Sequence, residues 1–465
     1  MKNIPLQYDV VVIGAGPAGY SSAIRLAQNG KKVACIEARN LGGECLNHGC
    51  IPSKAFLQAA KTYHAMGNAS TFGVNIEGRS FDINAFQVWK NKRIVKKLSA
   101  GIGYLFKTKG VDFMKGKAFF IDKNSIQIMT QEGMKGIRTK NVVIAAGTKS
   151  RILPGLEPDG KRIFGPREIL DIDFVPETVT ILGGGYIGFE IGFAFLLLGK
   201  KVSIVENMSS VLAGLDDDLR EAIEISFKNL GGTIYTSAEF KSFQETTFAF
   251  KDEEGEKEVE TEVLLVAAGR EWDFTSLRLG KIEALKFNAN GSIKTDERME
   301  TTLSGIFAIG DCTGGTLLAH KAVEEGLLAA DSICNPTKKP ASRNSVPFAV
   351  FTEPEVAATG LTEKEAKEKR IPYTIGHVPS SAIGINSIIG EKTGYIKILV
   401  DPTSNVILGG KIVGKNASNL IAEISLAVDK KLTAQDLSRV IHVHPSQSEI
   451  ITEAVESIFK RSIHF

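Results

Sequence analysis

Apolar runs, glycines and helical patterns follow one another in a unit that occurs twice along the chain. In the first copy, an apolar run at 9–14 ends in glycines, a helical pattern covers 17–29, and a second apolar run covers 32–37. In the second copy, the corresponding segments are 178–183, 187–198 and 201–206. A strand, a glycine turn, a helix and a second strand make a βαβ unit. We therefore predict an α/β fold with two Rossmann-like dinucleotide-binding domains.

The C-terminal part of the chain has a different pattern. Strand-like segments at 346–351, 395–400 and 406–413 precede three helical patterns, which begin near Ser418, Thr433 and Ser446. Strands followed by helices predict a separate α+β domain. Proline- and glycine-containing loops near 154–155 and 336–343 mark junctions between domains. We expect four regions, with the bounds 1–150, 151–272, 273–342 and 343–465.

The charge balance argues against a protein that binds nucleic acid or anionic membranes through its net charge. Lys and Arg number 56 against 53 Asp and Glu, which gives a formal net charge of +3. One basic cluster lies in the helical pattern at 81–106 and consists of Lys90, Lys92, Arg93, Lys96 and Lys97. We interpret it as the solvated face of a helix, because no aromatic-rich binding surface accompanies it. We therefore expect neither a nucleic-acid nor a membrane partner.

The start of the chain and its cysteine usage indicate a reducing compartment. The first residues contain neither the apolar stretch of a signal peptide nor an Arg- and Ser-rich presequence. No apolar run approaches the ~18 residues that a membrane span requires. Five cysteines are too few for a secreted disulfide scaffold. We expect a cytoplasmic protein, in which a close cysteine pair does redox or metal chemistry.

The first glycine motif has the context of a dinucleotide-binding turn. Gly14, Gly16 and Gly19 follow a predicted strand and open a predicted helix, and Glu37 ends the next strand. In such a turn the first glycine makes the bend, the second lets the backbone approach a pyrophosphate, and the third lets helix and strand pack closely. The helix N-terminus favours the phosphates, and the acid accepts a hydrogen bond from a ribose hydroxyl.

The second glycine motif repeats both the pattern and the spacing of its acid. It consists of Gly183, Gly185 and Gly188, and Glu206 follows Gly183 at the same interval of 23 positions that separates Glu37 from Gly14. An acid at this place suits the free 2′-hydroxyl of NAD and repels the 2′-phosphate of NADP. Two dinucleotide sites in one chain imply a flavin and a nicotinamide that exchange a hydride.

A third motif places Cys45 and Cys50 in Gly-Glu-Cys-Leu-Asn-His-Gly-Cys. In a regular helix, residues five apart lie ~7.5 Å apart along the axis and point ~140° apart, so a disulfide requires a distorted turn, which Gly49 permits. Two buried free cysteines, or a metal site that recruits His48, are the alternatives. We favour the redox disulfide. The remaining cysteines stand alone and are interpreted as structural: Cys35, Cys312 and Cys334.

A fourth motif, His442-Val-His444-Pro-Ser446-Gln-Ser-Glu449, supplies a candidate base. Thiol–disulfide exchange needs a group that takes a proton from the substrate thiol, and histidine titrates in the right range. Glu449 is placed to orient the ring of His444. Ser446 and Glu449 also match a capping box, so Glu449 has a purely structural alternative. The residues alone leave the choice between His444 and His442 open.

Together these motifs resemble those of the flavoprotein disulfide reductases, over essentially the whole chain. The most specific part is 43–54, similar to the family motif G-G-T-C-L-N-x-G-C-I-P-S-K, and its ending resembles the dihydrolipoamide dehydrogenase branch. The segment 305–311 resembles the family's second FAD motif, and 318–322 the stretch that continues along the flavin. The segments 145–148 and 268–270 resemble the passages between the family's domains.

The resemblance implies an enzyme that oxidises dihydrolipoyl groups through a Cys45–Cys50 disulfide and FAD, and that passes hydride to NAD. Cys45 is then the thiol that exchanges with the lipoyl sulfur, and Cys50 is the thiol that faces the flavin. Lys54 and Glu190 resemble the pair beside the flavin ring. Tyr186 resembles the side chain that covers the flavin until the nicotinamide enters.

The resemblance also assigns the remaining site residues and the partners. The implied FAD-binding set is Gly14, Gly16, Gly19, Glu37, Lys54, Gly147, Asp311 and Ala319. The implied NAD-binding set is Gly183, Gly185, Tyr186, Gly188, Glu190, Glu206 and Gly269. It favours His444 over His442 as the base, with Glu449, and implies no metal. It implies a homodimer whose C-terminal dimerisation domain brings His444 to the disulfide of the other subunit. The expected partner is the lipoyl domain of a 2-oxo acid dehydrogenase complex, or the carrier protein of glycine cleavage.

Three positions depart from the family pattern. Glu44 stands where threonine is common and places a carboxylate beside Cys45, which raises the pKa of a thiol unless a cation compensates. His48 is our candidate for that cation. Glu353 stands where the family often has histidine.

Two alternative functions are weighed against this one. A reductase of another disulfide or of a metal ion is the first, but the mercuric and large thioredoxin reductases carry an additional C-terminal cysteine pair, and no cysteine follows Cys334 here. A non-catalytic flavoprotein subunit is the second, and it has no need of a redox pair or of the His444 motif.

Overall fold

The structure, a computed structural model, describes residues 6–282, 284–339, 345–391 and 393–465. The expected domain boundary between 342 and 343 lies outside the described residues. The strands are β1 (Leu6–Ile13), β2 (Val33–Glu37), β3 (Val111–Lys115), β4 (Lys117–Asp122), β5 (Ser125–Thr130), β6 (Gly133–Ile144), β7 (Lys149–Ser150), β8 (Ile163–Phe164), β9 (Thr178–Leu182), β10 (Lys201–Val205), β11 (Thr233–Tyr235), β12 (Glu239–Gln244), β13 (Thr247–Asp252), β14 (Gly255–Glu260), β15 (Val263–Val266), β16 (Arg270–Glu271), β17 (Ile306–Ala308), β18 (Phe348–Val350), β19 (Val356–Gly360), β20 (Thr374–Pro379), β21 (Tyr395–Val400) and β22 (Ile407–Val413). The helices are α1 (Pro17–Gln28), α2 (Gly43–His48), α3 (Cys50–Gly67), α4 (Ile83–Val88), α5 (Lys96–Lys109), α6 (Tyr186–Leu197), α7 (Asp217–Asn229), α8 (Ala319–Cys334), α9 (Glu363–Glu368), α10 (Gly384–Ile388), α11 (Ala417–Lys430), α12 (Ala434–Ser438) and α13 (Glu449–Ile458).

The first sheet has the order β3-β2-β1-β6-β5-β4, and β17 pairs with β6. β1 runs parallel to both β2 and β6, and β17 runs parallel to β6. The central strand is apolar throughout its buried part because helices cover both faces of a parallel sheet. β17 thus returns the chain to the first sheet after the second nucleotide-binding unit, and α8 packs against α1 beside it.

The second sheet repeats this layout with the parallel order β11-β10-β9-β15-β8. A three-stranded antiparallel sheet, β12-β13-β14, is inserted before β15. The helix α6 is buried on nearly all sides because it packs against α3 as well as its own sheet. The rings of Phe56 on α3 and Phe195 on α6 meet edge to face, with centroids 5.2 Å apart. This packing fixes the cysteine-bearing helix against the second nucleotide-binding unit.

The C-terminal sheet is antiparallel, with the order β18-β19-β22-β21-β20. α11 packs on β19 and β22, and α13 packs on β20 and β21. Alternate residues of these strands, such as Ile396 and Ile398, face the helices and form one apolar core with helix residues such as Ile424 and Ile451. The predicted α/β fold with two dinucleotide-binding units and a C-terminal α+β domain is confirmed.

The helical pattern at 81–106 departs from its prediction in one respect. α4 and α5 are joined by a π-helical stretch, Trp89–Val95, and Lys90 within it is only 1% exposed. Its Nζ donates to the carbonyl of Leu170 and to Oδ1 of Asp171, 2.7 Å away. The interpretation of Lys90 as part of a solvated face is therefore wrong. Lys90 lies four residues after buried Phe86 and seven after buried Ile83, on the inward side of the helix.

No helix in the described part of the chain is long and apolar enough to cross a lipid bilayer.

Candidate active site

A cavity of about 610 Å³ lies at the carboxyl ends of the strands of the first sheet. It is lined by residues from three parts of the chain that the sequence motifs singled out: Gly14, Gly16, Glu37, Cys45, Cys50, Lys54, Gly147, Tyr186, Glu190, Asp311 and Ala319. Gly19 lies behind this lining, in the packing of α1. Gly183, Gly185, Gly188, Glu206 and Gly269 belong to a second cradle outside the cavity, and neither His444 nor Glu449 lines it.

The first glycine cradle is a tight turn in which Gly14 and Gly19 have no room for a side chain. Gly14 has a φ of +104°, and a Cβ there would lie 2.2 Å from the carbonyl oxygen of Ala145. A Cβ on Gly19 would lie 1.9 Å from the carbonyl oxygen of Gly14, so helix and strand can approach only with glycine. Glu37 accepts hydrogen bonds from the backbone N–H groups of Ala15, at 2.8 Å, and Arg39, at 2.7 Å. The acid therefore ties the turn to the end of β2.

The second cradle has the same geometry. Gly183 has a φ of +114°, and a Cβ there would meet the carbonyl oxygen of Ala267 at 2.5 Å. A Cβ on Gly188 would lie 2.5 Å from the carbonyl oxygen of Gly183. Glu206 accepts from the N–H groups of Gly184, at 2.7 Å, and Met208, at 2.8 Å.

Gly185 differs from Gly183 and Gly188. A Cβ on Gly185 would meet no atom within 4 Å, so nothing in the protein requires a glycine there. The open space lies at the N-terminus of α6, where phosphates bind in this type of turn.

Cys45 and Cys50 form a disulfide with a Cα–Cα distance of 4.7 Å. The predicted distortion lies at Gly49, whose φ of −132° and ψ of −107° end α2 and start α3. A Cβ on Gly49 would lie 3.3 Å from the carbonyl oxygen of Glu44, so the glycine also lets the two helices approach. Of the three interpretations of this motif, the structure therefore supports the disulfide.

Lys54, one turn after Cys50, forms an ion pair with Glu190 of α6. The Nζ–Oε2 distance is 2.6 Å, and the Glu190 side chain is only 4% exposed. Oε1 of Glu190 also accepts from the N–H of Phe351, at 3.1 Å, and Lys54 Nζ lies 4.6 Å from the centroid of the Phe351 ring. One buried carboxylate thus joins α3, α6 and the C-terminal domain.

Burial, and then the charge of Glu190, raise the pKa of Tyr186 at the cavity wall.

A hydrogen-bonded group fixes another wall of the cavity, and of its members the sequence assigned a site role only to Asp311. Arg270 donates to Oγ1 of Thr148, at 2.6 Å, and to its carbonyl, at 2.9 Å. Oγ1 of Thr148 lies 3.2 Å from Oδ2 of Asp311, and Nε1 of Trp272 donates to the Asp311 carbonyl at 2.8 Å. Asp311 is therefore held at the cavity by both nucleotide-binding units.

His444 lies on the surface and pairs with Glu449. Nδ1 of His444 is 2.8 Å from Oε1 of Glu449, and the imidazole is 80% exposed. The other carboxylate oxygen accepts from the N–H of Ser446 at 2.8 Å, so Glu449 holds both the imidazole and the backbone that precedes α13. Burial opposes ionisation of Glu449, but these two hydrogen bonds outweigh it and lower its pKa.

His442 has a different environment. Its side chain is 7% exposed, with Nε2 3.2 Å from the carboxylate of Glu423 and Nδ1 2.9 Å from Oγ1 of Thr452. Both ring nitrogens are used inside the domain, so His442 has the character of a structural histidine.

The cation beside Glu44 is Arg167 and not His48. Nε of Arg167 lies 3.3 Å from Oε1 of Glu44, Nη2 contacts Oε2, and Arg39 approaches the same carboxylate at 4.0 Å. Burial lowers the pKa of His48, and Arg167 lowers it further against the opposing effect of Glu44. His48 is thus kept neutral, and the expectation that it compensates Glu44 is wrong.

Glu353 has a local partner. Its carboxylate lies 2.9 Å from Nζ of Lys61 on α3, and its carbonyl accepts from Oγ of Ser226. The glutamate therefore ties the C-terminal domain to the cysteine-bearing helix.

Among the described residues, no group of three or more His, Cys, Asp and Glu side chains is arranged to hold a metal ion.

Comparison with protein families identifies the class. A model described as pyridine nucleotide-disulphide oxidoreductase matches residues 8–326, and the dimerisation-domain model of the same family matches residues 346–455. This chain belongs to the pyridine nucleotide-disulphide oxidoreductase family.

Individual relatives narrow the comparison. The chain is 35% identical over 465 residues to the dihydrolipoyl dehydrogenase of Geobacillus stearothermophilus, an alignment that covers 99% of this chain and 98% of that protein. It is also 35% identical over 469 residues to the dihydrolipoyl dehydrogenase of Bacillus subtilis (strain 168), with coverage of 99% and 98%.

Solved structures agree with this class. The crystal structure of LpdA from Mycobacterium tuberculosis superposes with a TM-score of 0.90 at 26% identity, and covers 97% of this chain and 99% of that chain. A Cu(II) complex of the HOCl-induced flavoprotein disulfide reductase RclA from Escherichia coli superposes with a TM-score of 0.85 at 27% identity, with coverage of 97% and 99%. The resemblance stated from the sequence motifs is confirmed.

The two cradles fit the cofactors of this family, FAD and NAD. Within the described residues, no side chain caps the N-terminus of α1 or α6, so backbone N–H groups remain for the phosphates of a dinucleotide. The first cradle opens into the cavity that contains the disulfide, and the second carries the open space at Gly185. FAD and NAD are the cofactors of this enzyme.

Proposed function

We propose that this chain is a dihydrolipoyl dehydrogenase, which oxidises dihydrolipoyl groups and reduces NAD to NADH. The observation that carries the proposal is the Cys45–Cys50 disulfide in the wall of the cavity that the first glycine cradle opens into. Full-length similarity to proteins of that name supports the substrate. The direction of electron flow is then from a dithiol to a nicotinamide.

Two thiol–disulfide exchanges account for the role of the cysteines. A substrate thiolate attacks Sγ of Cys45, a mixed disulfide forms, and Cys50 leaves as a thiolate. The second substrate thiolate then attacks the substrate sulfur of the mixed disulfide, which closes the lipoyl ring and releases Cys45. Bound FAD supplies the acceptor for the electron pair of the reduced cysteines and delivers it to NAD as a hydride.

His444 is the proposed base that takes the protons of the substrate thiols. Its ring is exposed and held through Nδ1 by Glu449, which leaves Nε2 for a substrate. Because His444 is absent from the lining of the cavity with the disulfide, we assign it to the disulfide of a second subunit. The dimerisation domain of the family supports this homodimer.

The other sequence-assigned residues take binding roles in the same proposal. Lys54 and Glu190 place a paired charge beside the flavin ring, and Tyr186 covers the ring before NAD binds. The FAD cradle consists of Gly14, Gly16, Gly19, Glu37, Gly147, Asp311 and Ala319. The NAD cradle consists of Gly183, Gly185, Gly188, Glu206 and Gly269.

We also propose the four-region division at 1–150, 151–272, 273–342 and 343–465. Support comes from β17, which joins the first sheet after the second unit has ended, and from the separate C-terminal sheet.

The proposed partner is the lipoyl domain of a 2-oxo acid dehydrogenase complex or the lipoylated carrier of glycine cleavage.

NADH formation by the FAD-bound protein with dihydrolipoamide and NAD tests the function, with NADP run in parallel. We expect turnover with NAD and none with Cys45→Ser. Cys334→Ser is the matched control, because Cys334 is a free cysteine outside the cavity, and it should turn over normally. Absence of turnover by the unmodified protein contradicts the proposal.

A heterodimer tests the shared site. Cys45→Ser and His444→Gln are each expected to abolish or severely reduce turnover in homodimers. If His444 serves the other subunit, a heterodimer of the two variants, isolated with two affinity tags, has one intact site and about half of the normal activity. A heterodimer as inactive as its parents contradicts the assignment.

A further inference from the structure

Glu44 and Arg167 join the two sides of the cysteine motif across 123 positions of sequence. Glu44 is the residue before Cys45 in the first turn of α2, and Arg167 precedes a short 3₁₀ turn, Glu168–Asp171. The guanidinium contacts the carboxylate through Nε, at 3.3 Å, and through Nη2. Two contacts from a planar guanidinium fix both the distance and the orientation of the carboxylate.

The segment that carries Arg167 is itself anchored. Lys90 donates to the carbonyl of Leu170 and to Asp171, and Nε2 of Gln87 donates to the carbonyls of Leu170, at 3.2 Å, and Ile172, at 2.7 Å. Because Lys90 is fully buried, these bonds hold the segment rigidly against α4 and the π-helical stretch. Arg167 is thereby presented to Glu44 from a fixed backbone.

The charges of Glu44 and Arg167 cancel each other beside Cys45. The ionisable groups that line the cavity with the disulfide are Glu37, Arg39, Glu44, His48, Lys54, Lys117, Lys149, Tyr186, Glu190, Arg270, Asp273 and Asp311, and those of the neighbouring cavity that shares His48 are Arg167, Glu168, Asp171 and Asp173. Among them, Glu44 is the carboxylate adjacent to Cys45 in the chain. The carboxylate and guanidinium are 29% and 30% exposed, so solvent screens the pair only partly.

We propose that Arg167 is a positioning residue for the exchange reaction, which cancels the charge of Glu44 and so lets Cys45 exist as a thiolate at neutral pH. This inference rests on the proposed role of Cys45 as the exchange thiol. Arg167 lies outside the lining of the cavity with the disulfide, so it acts through Glu44 and Cys45. The thiolate is the form that attacks or leaves in each exchange step, so its population sets the rate.

If the pair tunes Cys45, removal of either charge should shift the pH of Cys45 alkylation, in opposite directions for the two residues. A merely structural role predicts no such opposite shifts. Glu44→Gln leaves Arg167 uncompensated, and the pH of half-maximal Cys45 alkylation is expected to fall by about 0.5–1 pH unit. Arg167→Gln leaves Glu44 with only the more distant Arg39, 4.0 Å away, and the same midpoint is expected to rise by about 0.5–1 pH unit. Arg167→Lys keeps the charge and stays near the parent protein, and the double variant returns toward it.

The experiment measures the alkylation rate of Cys45 in phosphine-reduced, FAD-bound protein between about pH 5 and 10, with the labelled peptide identified by mass spectrometry. No lipoamide or NAD is present, so the result is independent of whether the substrate assignment holds. Arg25→Gln, which removes an exposed ion pair with Asp331, is the control and should not shift the midpoint. The inference is overturned if the alkylation midpoint shifts in the same direction in both single variants, or if it does not shift. Labelling of Cys50 instead of Cys45 overturns it as well.

Discussion

Gly185→Ala separates the cofactor role of a glycine from its role in folding. The backbone of Gly185, with φ −81° and ψ 175°, is accessible to alanine, and its Cβ would meet no protein atom within 4 Å. Alanine is poorer than glycine at a helix N-cap by about 0.5–1 kcal/mol, but it lowers the entropy of the unfolded chain by a similar amount. We therefore expect the free energy of unfolding to change by less than about 0.5 kcal/mol.

The effect on NAD is expected to be much larger. The new methyl group occupies the space in which the second glycine of such a motif lets a pyrophosphate approach. Loss of one hydrogen bond between a backbone N–H and a charged phosphate costs about 1.5–3 kcal/mol, which corresponds to a rise in the KM for NAD of roughly 10- to 150-fold. FAD content should stay constant, because the first cradle is untouched.

Two control variants separate an effect on NAD binding from an effect on stability. In Gly188→Ala the Cβ lies 2.5 Å from the carbonyl oxygen of Gly183, so α6 must move and stability itself should fall by about 1–3 kcal/mol. Gly101→Ala, at an open position of α5, should leave the KM unchanged. Urea unfolding and steady-state kinetics measure both quantities. An unchanged KM for NAD in Gly185→Ala refutes the assignment of this space to the pyrophosphate.

Three further changes test the charge pairs and the packing around the site. Burial opposes ionisation of Asp218, but hydrogen bonds from Lys397 and Lys411 outweigh it and lower its pKa from 3.8 to about 2. The pKa of Asp218 is lower in the folded than in the unfolded protein, so its ion pairs add roughly 2 kcal/mol to the free energy of unfolding at neutral pH. This contribution is complete above about pH 4 and falls to about half at pH 3. Urea unfolding should therefore find Asp218→Asn less stable at neutral pH, with a smaller difference at pH 3; a constant difference contradicts the ion-pair account. Lys54→Met leaves the buried Glu190 carboxylate with the Phe351 N–H alone, and we expect a loss of about 2–3 kcal/mol, largely recovered in the double variant with Glu190→Gln. Equal stability of the single and double variants would show that the pair is not coupled. Phe56→Ala removes the ring that meets Phe195, and we expect the free energy of unfolding to fall by about 3–5 kcal/mol; normal stability in thermal unfolding would contradict the packing of α3 on α6.

The local motifs could be found from the sequence because their physics is local. Gly14 and Gly183 need a positive φ, and the acid that ties each turn lies at a fixed interval along the same βαβ unit. The disulfide required only a break between neighbouring turns, and Gly49 indicated where it occurs. Hydrophobic periodicity likewise located β1, β2, β9, β10, β18, β21 and β22.

Contacts between distant segments could not be found in this way. Arg167 reaches Glu44 only because the 3₁₀ turn that follows it is anchored by Lys90 and Gln87, and no spacing rule links those positions. His48 was the nearest candidate cation in sequence, and its burial, which disfavours the charged form, is visible only in the fold. Lys90 is the exception, since its spacing from Phe86 could have indicated burial.

Differential labelling of the cysteines during the half-reactions tests the central claim most directly. The FAD-bound protein is mixed with dihydrolipoamide without oxygen, quenched with an alkylating reagent, and analysed by mass spectrometry before and after addition of NAD. We predict that Cys45 and Cys50 become labelled after dihydrolipoamide and lose their labelling once NAD reoxidises the protein. Reduction of the flavin while the Cys45–Cys50 disulfide stays intact would contradict the account, because electrons would then bypass the cysteine pair.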